Sequence, residues 1–569
     1  MQFRIALIAG LALVALAFTW GFAPALTLAG QEQAAPAGNE ASPTPSAPAA
    51  GRSATAPTAS RTLKAPTPIV PNGSWPVYHR NDARTGSDPT LLHVSTVSTG
   101  WTSAALDEQI YASPVIYGGI VYAATLNNSV YALNQTDGSV VWQRNLGAPE
   151  TGGWGCGDVS PQGILGTPAI DPTGGRIYVA AQFSSDDVYH VYGLNLATGA
   201  VELNTPIPAS IGTGFDWTIQ QERGALAVAN GHVYVPFGGR AGDCGSYSGW
   251  VVGVPTSGST SLNVYQTPGI GNGIWSGGGV VVDDSTGSVI ATTGNGDVGI
   301  GCNAKGDGSP QYQNDAVVRL SPTLAEQSFF MPPDWQADWC SNDQDLGSTA
   351  ALLISPTLLF QAGKHGTGFL LNPTSLGGVN GQLFPAPTPY TEADVCGGNT
   401  GDATFGSYAY SAPYIYVECD GVGLAALRLD TSVPSKPSFS PCDSTCAAPD
   451  WLAGSGTTFG PHIVAGGAVW VANDGGGLFA YRADTGAPIY QSAGFGINRF
   501  STPAEAGGQV FVASHTVIRS FGMHFGASQS SPAPSPPARP TPVMQANPPP
   551  TSGRPPVSQS SPQPPPFGR

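Results

Sequence analysis

One pattern returns eight times along this chain. It shows plainly in GGIVYAATLNNSVYALNQTDGSVVW, residues 118 to 142. Two alternating runs, IVYAA and SVYAL, flank a short turn, and SVVW follows the turn signal Thr136-Asp137-Gly138. Alternation with period two and Gly-rich turns reads as short antiparallel strands. Copies begin near residues 113, 167, 224, 278, 348, 406, 459 and 501, so the spacings are 54, 57, 54, 70, 58, 53 and 42. A three- or four-stranded unit of this size cannot bury both faces alone. Stacking it against copies of itself can. A period of about 50 with four strands per unit predicts an all-β, eight-bladed β-propeller. An open ring would leave an unpaired edge, so the ring must close. The eighth copy stops at Phe521 without an outer strand. Gly100-Trp101-Thr102-Ser103-Ala104-Ala105, ahead of the first copy, is expected to supply it. The propeller is thus closed by an N-terminal strand.

The flanks differ in kind. Residues 1–30 carry Arg4 and then an apolar run without charge until Glu32, which predicts a signal peptide or an N-terminal membrane anchor. Residues 31–71 are rich in Ala, Pro and Ser, and residues 526–569 in Pro and Ser. Such segments lack the apolar residues that offset ordering entropy and are expected to be disordered. The folded propeller is therefore placed at 72–525.

The net charge is −16, which argues against nucleic acid as a partner. A membrane is expected to be met only through the N-terminal segment. Eight cysteines on an exported chain suggest up to four disulfides. Cys442 and Cys446, in PCDSTCAAP, form the one pair that spacing suggests; the others are not assigned.

The unit Y-G-G-x-V-Y, followed by Y-A-L, G and W, resembles the repeat of pyrroloquinoline-quinone (PQQ) propellers. The lead-in Trp75-Pro76-Val77-Tyr78 with Arg84-Thr85-Gly86 is similar to theirs. The motifs G-D-C-G, T-G-N and Q-D-L-G-S followed by G-K-x-G are closest to the polyvinyl-alcohol-dehydrogenase-like branch. The resemblance implies a cofactor site built from several blades. Asp243 stands where the dehydrogenases place a calcium-binding Glu, and Asn295 where they place a calcium-binding Asn. Trp275 falls near their stacking Trp, and Lys364 at a cofactor-contacting Lys or Arg. Asp345, or alternatively Asp343, falls near their catalytic Asp. The sequence departs from the pattern in having no adjacent cysteine pair and no C-x-x-C-H haem motif.

Two functions follow. The first is an exported binding or scaffold module in a bacterial cell envelope, a monomer without quinone catalysis. It would meet a protein, glycan or small ligand at a face or channel. The alternative is a quinoprotein alcohol dehydrogenase dependent on PQQ and Ca²⁺. They part on whether Asp243, Asn295 and Asp345 converge.

Overall fold

The computed structural model describes residues 73–526, except 187, 297–311, 387–392, 398–400 and 442–449. The Cys442–Cys446 pair, the N-terminal segment and the two flanking segments thus lie outside the described residues. Within them the chain forms eight sheets, the blades of a propeller. Blade 1 spans 115–145, blade 2 169–207, blade 3 220–266 and blade 4 281–331. Blade 5 spans 352–371, blade 6 409–453 and blade 7 462–491. Blade 8 spans 504–525 and takes Val94–Thr102 as its outer strand. That strand pairs antiparallel with Val517–Phe525, from Val94 opposite Phe525 to Thr102 opposite Arg519. The expected closure is present, but the closing strand begins six residues earlier than Gly100. Blade 5 departs from the four-stranded plan. Among the described residues it holds three strands, and the next segment, Gly378–Val379, pairs in parallel with Glu326–Met331 of blade 4.

The core lies between blades rather than inside any one. Along Arg176–Gln182 of blade 2, Ile177, Val179 and Ala181 pack with Val115, Tyr122 and Val130 of blade 1. The intervening Tyr178 and Ala180 pack with Val233, Val235 and Phe237 of blade 3. Strand alternation therefore serves two neighbours at once. One cluster joins blades 7, 8 and 1 through Trp470, Phe511 and Val121, closing the ring with the same chemistry. At the rim, an indole of one blade lies on a glycine of the next. Trp101, Trp142 and Trp451 lie over Gly138, Gly199 and Gly486, where a Cβ would come within 2.4, 2.6 and 2.5 Å of the indole. Each indole N–H donates to a carbonyl of that next turn, from Gln135, Leu196 and Ala483.

The lead-in fills one end of the axis. Its carbonyls at Trp75, Pro76, Asp82, Ala83, Thr85 and Gly86 accept the N–H groups of Ile116, Ile170, Val282, Leu353, Tyr410 and Val464. Those donors belong to the first strands of blades 1, 2, 4, 5, 6 and 7. Arg84, with no exposed surface, reaches blade 3 by donating to Leu226 O at 3.0 Å. It also donates to Val280 O and Tyr78 O. The Tyr78 hydroxyl meets Thr502, just ahead of the first strand of blade 8. One short segment thus touches all eight blades.

Two outcomes are expected. Arg84→Met leaves three buried carbonyls without a donor and should cost about 3–5 kcal/mol in urea unfolding. Glu505, in the first strand of blade 8, is buried, and burial together with Asp88 of the lead-in pushes its carboxyl up from 4.5 to about 8. Its stabilising preference for the proton is full below about 4.5 and is lost as pH rises through about 8. Glu505→Gln should match the parent in melting temperature at acidic pH and exceed it in alkaline buffer.

Candidate functional site

The other end of the axis is where the first strands begin and the second strands end. A cavity of about 280 Å³ opens there. Asp243, Trp275, Asn295, Asp343, Asp345 and Lys364 all line it. Sequence spreads these residues over five segments; the ring brings them together because each stands at the same end of its blade.

Each is held by local geometry. Asp345 precedes the short turn Leu346–Ser348, and its side chain is only 7% exposed. Its Oδ1 accepts the Asn295 backbone N–H at 2.8 Å. It lies 3.5 Å from the Trp275 indole nitrogen. Its Oδ2 lies 2.6 Å from the Lys364 Nζ. Gly294 permits this approach, since a Cβ there would come within 2.4 Å of Asp345 Oδ1. Lys364 follows the second strand of blade 5, and its backbone N–H donates to Asp345 O. Burial works against its ammonium, but Asp345, Asp343 and Asp402 outweigh burial and hold its pKa above the ordinary lysine value. The contacts with Asp343 and Asp402, at 3.3 and 3.9 Å, involve carboxylates 69% and 66% exposed, so solvent screens them. The Asp345 pair is the one that matters. Burial, then the charge of Asp345, raises Asp343 above the ordinary carboxylate range. Asp343 also accepts the Asn295 side-chain amide at 3.1 Å.

Asp243 takes a left-handed conformation, φ 49°, in the loop after blade 3's second strand. Its Oδ1 accepts the Tyr247 hydroxyl at 2.6 Å, and burial together with Asp243 raises Tyr247 well above the ordinary phenol range. A disulfide from Cys156 to Cys244 ties this loop to the segment between blades 1 and 2. A second, Cys396–Cys419, braces the loop that leads into blade 6. Cys340 is disulfide-bonded as well.

The sequence did not single out the rest of the wall. Arg223, Arg240, Arg499, Phe405 and Phe500 complete it. Arg223 lies over the Phe500 ring at 4.9 Å, and Arg499 lies over Phe405 and Phe500 at 5.4 and 5.1 Å. Arg240 donates to Gln182 and Gln162 and stands 3.5 Å from the Trp154 ring centre. A signal was available: Arg223, Phe405 and Phe500 each stand four positions ahead of the first strands that begin at Ala227, Ala409 and Ala504.

Four cations, five carboxylates and four aromatic rings line this cavity, so it offers a planar ligand ring faces to stack on and, at Arg223 and Arg499, cations for its carboxylates. The donor chemistry for a hard cation is less well gathered. Among the described residues no three His, Cys, Asp or Glu side chains form a metal-binding group. The carboxylates of Asp343, Asp345 and Asp402 instead surround the Lys364 ammonium.

Residues 64–293 match the family model described as outer membrane protein assembly factor BamB. The BamB of Salmonella typhimurium is 28% identical over 123 residues, 21% of this chain. That match spans 29% of the relative's length. Among solved structures, the quinohemoprotein alcohol dehydrogenase from Comamonas testosteroni is 16% identical with a TM-score of 0.57, covering 80% of this chain and 81% of its own. A quinohemoprotein alcohol dehydrogenase from Pseudomonas putida is 15% identical at the same TM-score, over 82% of both chains. At that identity the likeness shows the fold. The chain is an eight-bladed β-propeller, and residues 64–293 are similar to the BamB family model.

The ion pair yields a direct outcome. Lys364→Met leaves buried Asp345 unpaired and should destabilise the protein by about 3 kcal/mol. The double variant with Asp345→Asn should recover part of that loss. A double-mutant cycle on urea midpoints measures it.

Proposed function

We propose that this propeller binds PQQ in the Lys364 cavity and oxidises an alcohol there, with Asp345 as the general base. The supporting observation is that Trp275 and Asn295, from blade 4 and the segment before it, meet Asp345 and Lys364, from blade 5 and the segment before it, around one cavity. PQQ, when bound, supplies the two-electron acceptor for alcohol oxidation. Lys364, Arg223 and Arg499 would hold its carboxylates and Trp275 would offer a ring face, while Arg240 is engaged by Thr218 O, Trp217 O, Gln162 and Gln182. The Asn295 N–H fixes Asp345 Oδ1 in orientation, which aims the carboxylate at a substrate hydroxyl. Asp345 takes the hydroxyl proton. Asp343 is the alternative base, but its exposure leaves it less oriented. Asp243 and Asn295 would furnish oxygen ligands to Ca²⁺ beside Asp345, which requires Asp243 to give up its bond from Tyr247. The enzyme would be exported and would pass its electrons to an external acceptor.

The family match to an assembly factor favours a second reading, a scaffold that binds proteins in the envelope. Titration of the full chain with PQQ, with and without Ca²⁺, separates the two through quenching of indole fluorescence. The dehydrogenase reading expects micromolar or tighter binding that weakens at least about tenfold in Lys364→Ala. Asp345→Asn should retain PQQ and lose about 10²–10⁴ in turnover with a primary alcohol. No PQQ binding by the folded protein leaves the scaffold reading.

A further inference from the structure

A second cavity, of about 430 Å³, lies beside the first between blades 6, 7 and 8. The two share only Phe405, Arg499 and Phe500. Glu418, Asp420 and Asp474 bring three carboxylates to its wall, while Phe405, Phe459, Ile497 and Phe500 make much of the remainder apolar. Glu418 ends the second strand of blade 6 and is 2% exposed. Its Oε1 accepts the Phe405 backbone N–H at 2.9 Å. Its Oε2 is buried and has no hydrogen-bond partner. A carboxyl oxygen buried without a partner is costly, and strands hold it there.

We infer that this cavity is a second ligand site, built for a small organic cation: an ammonium group for Glu418 on an apolar body for the phenylalanines. Once Glu418 ionises, its unmet buried oxygen calls for a donor, and three carboxylates then stand against one guanidinium, which calls for positive charge. No ion pair joins Arg499 to Glu418; its guanidinium lies over Phe405 and Phe500 instead. A bare metal ion fits less well. Among the described residues the acids are not grouped as a metal set, and an ion would leave the aromatic wall unused. The groups that act on Glu418 are the Phe405 N–H, Asp420, Arg499 and the hydroxyls of Tyr78 and Tyr408, while Asp474 stands elsewhere on the cavity wall. Burial pushes the Glu418 carboxyl up to about 8, with Asp420 adding to the rise and the Phe405 N–H and Arg499 opposing it. At neutral pH it therefore carries its proton in the free protein. A bound ammonium favours the carboxylate, so binding releases a proton.

This inference stands apart from the quinone reading and can fail separately. The experiment is calorimetric titration of the full chain at neutral pH with benzylamine and with benzyl alcohol, in buffers of different ionisation enthalpy. Benzylamine should bind with proton release, and benzyl alcohol at least about tenfold more weakly. Glu418→Gln should weaken benzylamine about tenfold and abolish the proton release. Should Glu418→Gln fail to fold, Asp474→Asn, on the exposed rim, serves by weakening benzylamine. Equal binding of amine and alcohol, or no proton release, overturns the proposal. So does Ca²⁺ binding that Glu418→Gln removes while benzylamine does not bind.

Discussion

Everything in this ring depends on a buried guanidinium at its axis. Each blade packs well against two neighbours, but side-to-side packing says nothing about where the blades meet at the centre. Arg84 binds carbonyls from the lead-in, from blade 3 and from the start of blade 4, with no surface exposed. A fixed fork of donors suits several carbonyls converging from different directions, where a lysine point charge would not. Around it the lead-in backbone bonds the first strands of six blades. The plug also makes the axis a blind channel, so ligands reach it from one face.

That single open face explains why so much chemistry collects there. First strands begin at this end and second strands finish at it, and both positions point inward. Every blade therefore delivers one or two side chains to the same small volume. Packing by Trp142 on Gly199 or Trp101 on Gly138 keeps the blades in register at the rim. The two described disulfides at this end fasten the loops that the sheets do not hold. The Lys364–Asp345 pair is held by the Asn295 backbone N–H and the Trp275 indole on the carboxylate and by Asp343 and Asp402 around the ammonium. That arrangement suits orientation of a reactive carboxylate better than stability alone.

Much of this was legible in the sequence, and the reason is periodicity. Alternating residues at 120–124 and 176–182 serve two neighbouring cores, so the repeat carries the fold with it. Trp101 marked the closing strand, although its start at Val94 did not show because Ser95, Thr96 and Ser98 carry no apolar alternation. That blade 5 holds three strands among the described residues, with only Phe384 bridging its outer edge, was hidden because Gly378 and Val379 are too short a run to assign to either neighbour. The residues named for the site do line one cavity, yet only their resemblance to a known pattern pointed to them. Arg223, Phe405 and Phe500 passed unnoticed, since ring position rather than local motif gives them their place. The unpartnered oxygen of Glu418 could not be read from the sequence at all. Its strand looks like any other buried run, and only packing reveals that a donor is missing.

The turn at Gly507 and Gly508 in blade 8 has a consequence for how the molecule is presented. Where the chain enters the fold, a Cβ on Gly73 would stand 3.4 Å from Gly507; where it leaves, a Cβ on Gly508 would stand 3.3 Å from the Phe525 ring. Both ends of the propeller therefore emerge at one corner, at the plugged end of the axis. The open face, with both cavities, lies at the far end from that corner, so neither end of the fold crowds its mouth.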